Sequence, residues 1–237
     1  MDIQVAILAG GYGTRLKEIT QTTPKPMVLV YNKPFLEYIV DWLNKYELRR
    51  LLLMVGHLGN KIEEYFEDGK KWGMDIRYSY ESPPMGTAGA LKKAENLLED
   101  RFFLINGDTF LPFDYRLFIK KFIEENSKAV VAAYDNQEKV APNNLSFSSN
   151  CIITHYGENS PNHTLTHVDA GVYGFKKEII KEVPENQVAC LSKEIYPKLI
   201  ANGQLRAYPI TQRYYDMGTP ERLNNFKEAI LKFKLTP

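Results

Sequence analysis

Val5-Ala6-Ile7-Leu8-Ala9-Gly10-Gly11-Tyr12-Gly13-Thr14-Arg15-Leu16, followed by Pro24-Lys25-Pro26, is the stretch on which the fold turns. An apolar run with strand character breaks into a loop with three glycines. Glycines let a backbone approach a ligand closely and leave N–H groups bare for anionic oxygen. An arginine in the loop and a lysine held between two prolines need an anion to neutralise them. A nucleoside triphosphate is the economical ligand. The alternative is a tight strand-to-helix turn whose Arg15 and Lys25 face solvent.

Two familiar phosphate loops fail on the letters. A Rossmann fingerprint needs a third glycine where Leu16 stands, and an acid after the second strand. That strand ends Met54-Val55-Gly56-His57 instead. A P-loop needs Lys and Ser or Thr directly after its last glycine, and Gly13-Thr14-Arg15 supplies neither arrangement.

Outward from the loop, strand-like and helical runs alternate. Residues 51–55 and 101–106 are continuous apolar runs, as buried parallel strands are. Residues 74–80 and 128–134 also read as strands. Residues 34–47, 60–68, 87–98 and 114–126 read as helices, the first from apolar spacing after a proline suited to a first turn. Such β-α alternation predicts a three-layer α/β fold, Rossmann-like, with a mixed, mainly parallel sheet and helices on both faces. Between Asp135 and His167 the pattern falters into Asn, Ser and Pro. That segment reads as a small cap of short strands and loops. Strand 168–175 follows, then helical stretches near 176–182 and 191–202, extended pieces at 205–209 and 213–216, and a last helix opened by Thr219-Pro220-Glu221.

The bulk numbers bound the rest. The chain has 237 residues, with 30 basic against 29 acidic side chains and a formal net charge of +1. A single domain over 1–237 is expected, with a nucleotide part at about 1–134 and an acceptor part at about 135–237. Near-neutral charge argues against a nucleic-acid partner. No apolar run approaches the ~20 residues that span a bilayer, so no membrane partner is expected. The N-terminus shows no basic leader, and Cys151 and Cys190 make no ligand pattern with the four histidines. Free thiols in a reducing cytoplasm are the expectation.

The opening motif then gains company. Leu8-Ala9-Gly10-Gly11-x-Gly13-Thr14-Arg15-Leu16 with Pro24-Lys25-Pro26-Met27 resembles the signature of sugar-1-phosphate nucleotidyltransferases. Lys33-Pro34-Phe35-Leu36-Glu37-Tyr38, Met85-Gly86-Thr87-Ala88-Gly89-Ala90, Asn106-Gly107-Asp108-Thr109 and Asp216-Met217-Gly218-Thr219-Pro220 match later landmarks in order. The likeness spans nearly the whole chain and is closest to the short heptose- or mannose-1-phosphate guanylyltransferases. It implies attack by a sugar-1-phosphate oxygen on the α-phosphorus of an NTP, with release of pyrophosphate. The product would be an NDP-sugar for surface polysaccharide or lipopolysaccharide.

The resemblance distributes the roles. Arg15 would hold the β- and γ-phosphates through its planar fork, and Lys25 the α-phosphate and incoming phosphate. Leu8, Ala9, Gly10, Gly11, Gly13, Thr14, Gly86, Thr87 and Ala88 would surround the nucleotide. Glu81 would accept from the adjacent N1–H and N2–H₂ donors of guanine, which favours GTP. Asp108 and Asp216 would hold one Mg²⁺, a hard cation that takes oxygen ligands. Asn106, Gly107, Glu158, Asn159, Asp169, Gly171 and Lys193 would form the sugar side.

That side departs from the family pattern. Asn159 stands where a sugar-phosphate lysine is usual, and Asp169-Ala170-Gly171 replaces Asn-Ala-Gly. Lys193 survives in Ser192-Lys193-Glu194 but loses one acid. These changes leave the acceptor open. A uridylyl- or cytidylyltransferase, or a nucleotide-binding regulatory homologue without turnover, are the competing readings. Any homo-oligomer is expected to form through this domain itself.

Overall fold

The computed structural model describes residues 3–13, 19–157 and 164–233. Its elements run β1 (Gln4–Ala9), α1 (Ile19–Thr22), β2 (Leu29–Val30), β3 (Lys33–Pro34), α2 (Phe35–Lys45), β4 (Arg50–Val55), α3 (Gly59–Phe66), β5 (Asp75–Tyr80), α4 (Gly86–Lys93) and β6 (Arg101–Asn106). They continue with β7 (Thr109–Phe110), α5 (Tyr115–Glu124), β8 (Ala129–Tyr134), β9 (Leu145–Phe147), β10 (Ile153–Tyr156), β11 (Val168–Lys176), α6 (Tyr196–Ala201), β12 (Leu205–Ile210), β13 (Tyr215–Asp216) and α7 (Pro220–Ile230).

Seven strands form one sheet in the order β12-β8-β11-β6-β1-β4-β5. Four of its neighbouring pairs are parallel, β1 with β4 and β6, β4 with β5, and β8 with β12. Only β11 runs against its neighbours, β6 and β8. The expected mixed, mainly parallel sheet is therefore present.

Strand alternation explains why the apolar runs are continuous. Val5, Ile7, Leu51 and Leu53 face one buried cluster with α2, α3, α5 and α7. Ala6, Leu52 and Met54 face another with α4 and α6. Successive side chains point to opposite faces, and both faces are covered, so no position in these strands can be polar without a buried partner.

Helix ends follow local chemistry. Asp114 caps α5 by accepting from the Arg116 N–H, and Thr219 caps α7 by accepting from the Arg222 N–H. The stretch read as a helix at 87–98 ends as α at Lys93 and tightens into a 3₁₀ turn over Glu95–Leu97. Lys177–Glu182 is likewise 3₁₀, and 191–202 opens with a π turn, Leu191–Ile195, before α6. The 135–167 segment holds the antiparallel pair β9/β10. Leu145 and Ile153 of this pair are buried in the second cluster, so the expected cap is sewn onto the main core. Cys151 and Cys190 are free thiols. Among the described residues no helix is long and apolar enough to cross a membrane.

Candidate active site

Parallel strands deliver their carboxyl ends to one edge, and ligand crevices form there. Leu8 and Ala9 end β1, Asn106 ends β6, and Glu81 follows β5. These residues meet Gly10, Gly11, Lys25, Gly86, Thr87 and Asp108 around one cleft of about 340 Å³. Ten of the sequence-singled residues thus come from five separated segments to a common surface.

The glycine loop is shaped as much by the protein as by any ligand. A Cβ on Gly10 would fall 2.1 Å from Glu81 Oε1, whereas nothing lies within 4 Å of one on Gly11. Gly10 therefore makes room for the Glu81 carboxylate, and Gly11 leaves open the face turned to a ligand. Gly13 has φ of 64° and lies against Lys25, where a Cβ would come within 2.9 Å of the lysine's own Cβ. Only glycine takes that backbone without strain. Thr20 closes the turn by donating its hydroxyl to the Gly13 carbonyl.

Lys25 sits in a 3₁₀ turn, Lys25–Met27, entered through Pro24. Its ammonium is ion-paired with the Asp108 carboxylate across the cleft. The lysine side chain is 15% exposed and the aspartate 36%. Lys25 is therefore a partly buried cation aimed into the cleft, and not a lysine turned to solvent.

Glu81 accepts from the Met85 N–H through Oε2 at 2.8 Å. Burial pushes its carboxyl up from the ordinary carboxylate range, and the Met85 N–H pulls the other way. The loop that follows is bolted down. Ala88 and Gly89 N–H donate to the Ala189 carbonyl, the Ala189 N–H donates to Met85 O, and the Leu191 N–H donates to Thr87 Oγ1 at 2.8 Å. Ala88 itself is buried behind the cleft wall. In that contact the Thr87 hydroxyl is the acceptor, which does not use its own hydrogen.

Asp108 and Asp216 arrive on paired short strands. Asp216 pairs with Thr109 across β13/β7, and the Met217 N–H donates to the Asp108 carbonyl at 3.2 Å. Their carboxylates face different partners. Asp216 accepts from the Gly218 N–H at 2.8 Å and from Arg222 Nη1 at 3.0 Å. It lines a neighbouring charged cavity of about 350 Å³ with Arg213 and Arg222. Among the described residues no group of three or more His, Cys, Asp or Glu side chains is placed to hold a metal. Two all-oxygen donors suit a hard cation that draws its remaining ligands from phosphate and water, so the pair fits Mg²⁺ in chemistry.

The acceptor-side residues are less gathered. Gly107 crosses under β1, donating its N–H to Leu8 O at 2.9 Å. Gly171 packs against Asn106 and Thr109. Asp169 is held by Tyr156 OH at 2.5 Å, Tyr173 OH at 2.9 Å and the Gly171 N–H at 2.8 Å. Burial raises its carboxyl against these three donors. Tyr173 in turn receives the Asn106 amide at 3.4 Å. Lys193 is exposed on the π turn and does not line the cleft. Thr14, Arg15, Glu158 and Asn159 lie outside the described residues, as does His163.

Some neighbours were not legible beforehand. Tyr12 lines the cleft, and its ring lies 5.3 Å from that of His57. The tyrosine donors to Asp169 and the Arg222 partner of Asp216 come from tertiary proximity, and no spacing along the chain announces them.

A glycine loop, a partly buried lysine and the carboxylates of Glu81 and Asp108 share one cleft at the carboxyl edge of a parallel sheet, where α/β folds place phosphorylated ligands. The chain belongs to the nucleotidyl transferase family, whose profile matches residues 4–232. It is 30% identical over 227 residues to the D-glycero-alpha-D-manno-heptose 1-phosphate guanylyltransferase of Campylobacter jejuni, covering 94% of this chain and 98% of that protein. It is also 30% identical to the UTP–glucose-1-phosphate uridylyltransferase of Synechocystis, over 85% of this chain and 56% of that protein. The chain thus spans little more than half the length of that longer relative. HddC from Yersinia pseudotuberculosis, solved in complex with GMP-PN, superposes with a TM-score of 0.82 at 27% identity, over 96% of this chain and 99% of HddC.

Proposed function

We propose that this chain works as one nucleotidyltransferase domain that transfers a nucleotidyl group from GTP to a sugar 1-phosphate, releasing pyrophosphate. The observation that carries the proposal is the meeting of Leu8–Gly11, Lys25, Glu81, Thr87 and Asp108 around one cleft. Little covalent work is left to such a protein. It must align two polyanions and neutralise the charge that builds on the α-phosphate and the leaving group.

Lys25 suits the α-phosphate because its ammonium already projects into the cleft, held by Asp108. Arg15, two residues after Gly13 in the chain, is assigned the β- and γ-phosphates. Glu81 reads the base: Oε2 carries the Met85 N–H and retains a lone pair, so both carboxylate oxygens remain acceptors for guanine. Asp108 and Asp216 would hold Mg²⁺, which when bound supplies charge neutralisation at the phosphates. Asp169 and its tyrosines stand beside Asn106 on the acceptor side, where carboxylate and phenol oxygens suit sugar hydroxyls. The likeness to the Campylobacter heptose 1-phosphate enzyme supports a guanylyl donor and a phosphorylated sugar acceptor. We place the reaction in the cytoplasm, feeding surface glycan assembly such as lipopolysaccharide or capsule.

The Synechocystis uridylyltransferase favours a second reading, with UTP as donor. A panel of NTPs against sugar 1-phosphates, followed by pyrophosphate release with Mg²⁺ present, separates the two. GTP is expected to exceed UTP, CTP, dTTP and ATP. A preference for UTP overturns the base assignment. Nucleotide binding with no pyrophosphate from any pair points to a regulatory protein instead.

A further inference from the structure

Each candidate metal carboxylate already has a cation of this chain. Asp108 is paired with Lys25, and Asp216 with Arg222 at 3.0 Å. The two aspartates and two cations sum to zero charge. The cavity beside Asp216 adds Lys139 and Arg213 against Glu138 and Glu221, which again balance. Arg213 is itself engaged with Glu138 at 2.6 Å. A divalent ion approaching these residues without a nucleotide meets little net negative charge.

The two counter-ions differ in what can draw them away. Lys25 stands in the cleft and can swing its ammonium to an arriving phosphate, which leaves Asp108 without its cation and with the Thr109 hydroxyl at 3.3 Å on Oδ1. Arg222 is tied elsewhere. Its backbone N–H is held by Thr219 on the first turn of α7, and Nη2 reaches the Val140 carbonyl at 3.4 Å. It lines the neighbouring cavity, apart from Lys25 and Asp108. A bound triphosphate therefore does not remove Arg222 from Asp216. It adds the negative charge that makes the pair attractive to a divalent cation despite Arg222.

We infer that Arg222 is a positioning counter-ion that holds the Asp216 carboxylate oriented but electrostatically compensated, so that this protein captures a divalent cation strongly only together with its nucleotide. The inference rests on the assignment of Asp108 and Asp216 as metal ligands under the proposed function. A unit charge a few ångströms from a divalent ion changes its affinity by about tenfold even at the dielectric of water.

The test is a Mn²⁺ titration of the purified full chain, reading free Mn²⁺ by electron paramagnetic resonance, with and without a non-hydrolysable GTP analogue. Arg222→Gln is expected to bind Mn²⁺ about tenfold more tightly than the parent without nucleotide. Arg222→Lys, which keeps the charge, should stay near the parent, and adding Asp216→Asn to Arg222→Gln should abolish the gain. Arg222→Met retains the aliphatic stem and replaces Arg222→Gln if the latter does not fold by circular dichroism. Unchanged or weakened Mn²⁺ binding in the neutral variants overturns the inference. If Asp216→Asn nevertheless weakens binding with the analogue present, the metal assignment stands alone. If Asp216→Asn alters binding in neither condition, the metal assignment falls and takes the inference with it.

Discussion

Glu81 concentrates the residue-scale argument. Its carboxyl is raised by burial in the free protein, with the Met85 N–H opposing. A protonated Glu81 offers a donor where guanine also presents donors. Guanine-nucleotide affinity is therefore expected to weaken as pH falls, with a midpoint shifted up from the ordinary glutamate value, and calorimetric titration across pH should trace it. Glu81→Gln should flatten that profile and narrow the margin of GTP over UTP. The stability sign runs opposite. A folded-state pKa above the unfolded value contributes stability that is full below the unfolded pKa and is lost as pH rises through the folded one. Lys25→Ala and Arg15→Ala are expected to lose about 100-fold or more in kcat/KM, the scale of deleting a group that meets transition-state charge. Near-parent turnover in a folded variant would remove that role. Lys25 was visible in the sequence as a lysine between prolines. Its partner Asp108, 83 positions away, was visible only as another candidate.

At the scale of elements, the sheet's neighbours are held by small residues as much as by large ones. Gly174 of β11 faces Phe122 of α5, and a Cβ there would come within 2.6 Å of the ring. The ring is fully buried with the Phe103 ring 5.8 Å away, so there is little room for it to swing aside. Gly174→Ala is expected to cost about 1–3 kcal/mol by overpacking, measurable as a lowered urea midpoint at an unchanged slope. Most elements were legible because their apolar periods are strong: β1, β4, β6, β8, α2 and α5 all sit within a residue or three of the expected spans. The π turn at Leu191–Ile195 was not. The segment entering it is tied to α4 through Thr87 and Ala189, and that tie joins residues about a hundred positions apart.

Over the whole molecule, one sheet with a covered face on each side carries both halves of the proposed reaction. β1, β5 and β6 bring the nucleotide residues to its edge, and β11, with β8 and β12 beyond it, continues it toward Asp169. The reversed strand β11 lies between β6 and β8, so Gly171 and Asp169 stand beside Asn106. By itself the sequence determined the α/β class, the alternating order of elements, and the glycine loop with its nearby lysine. Those features depend on hydrophobic period and on residues close in the chain. Tertiary structure decided which charges meet. Gly10 yields its space to Glu81, Asp108 receives Lys25, Asp216 receives Arg222, and Asp169 is bound by two tyrosines. Electrostatic and hydrogen-bond partners are fixed by distance in space, and only packing the strands side by side brings such remote residues within that reach.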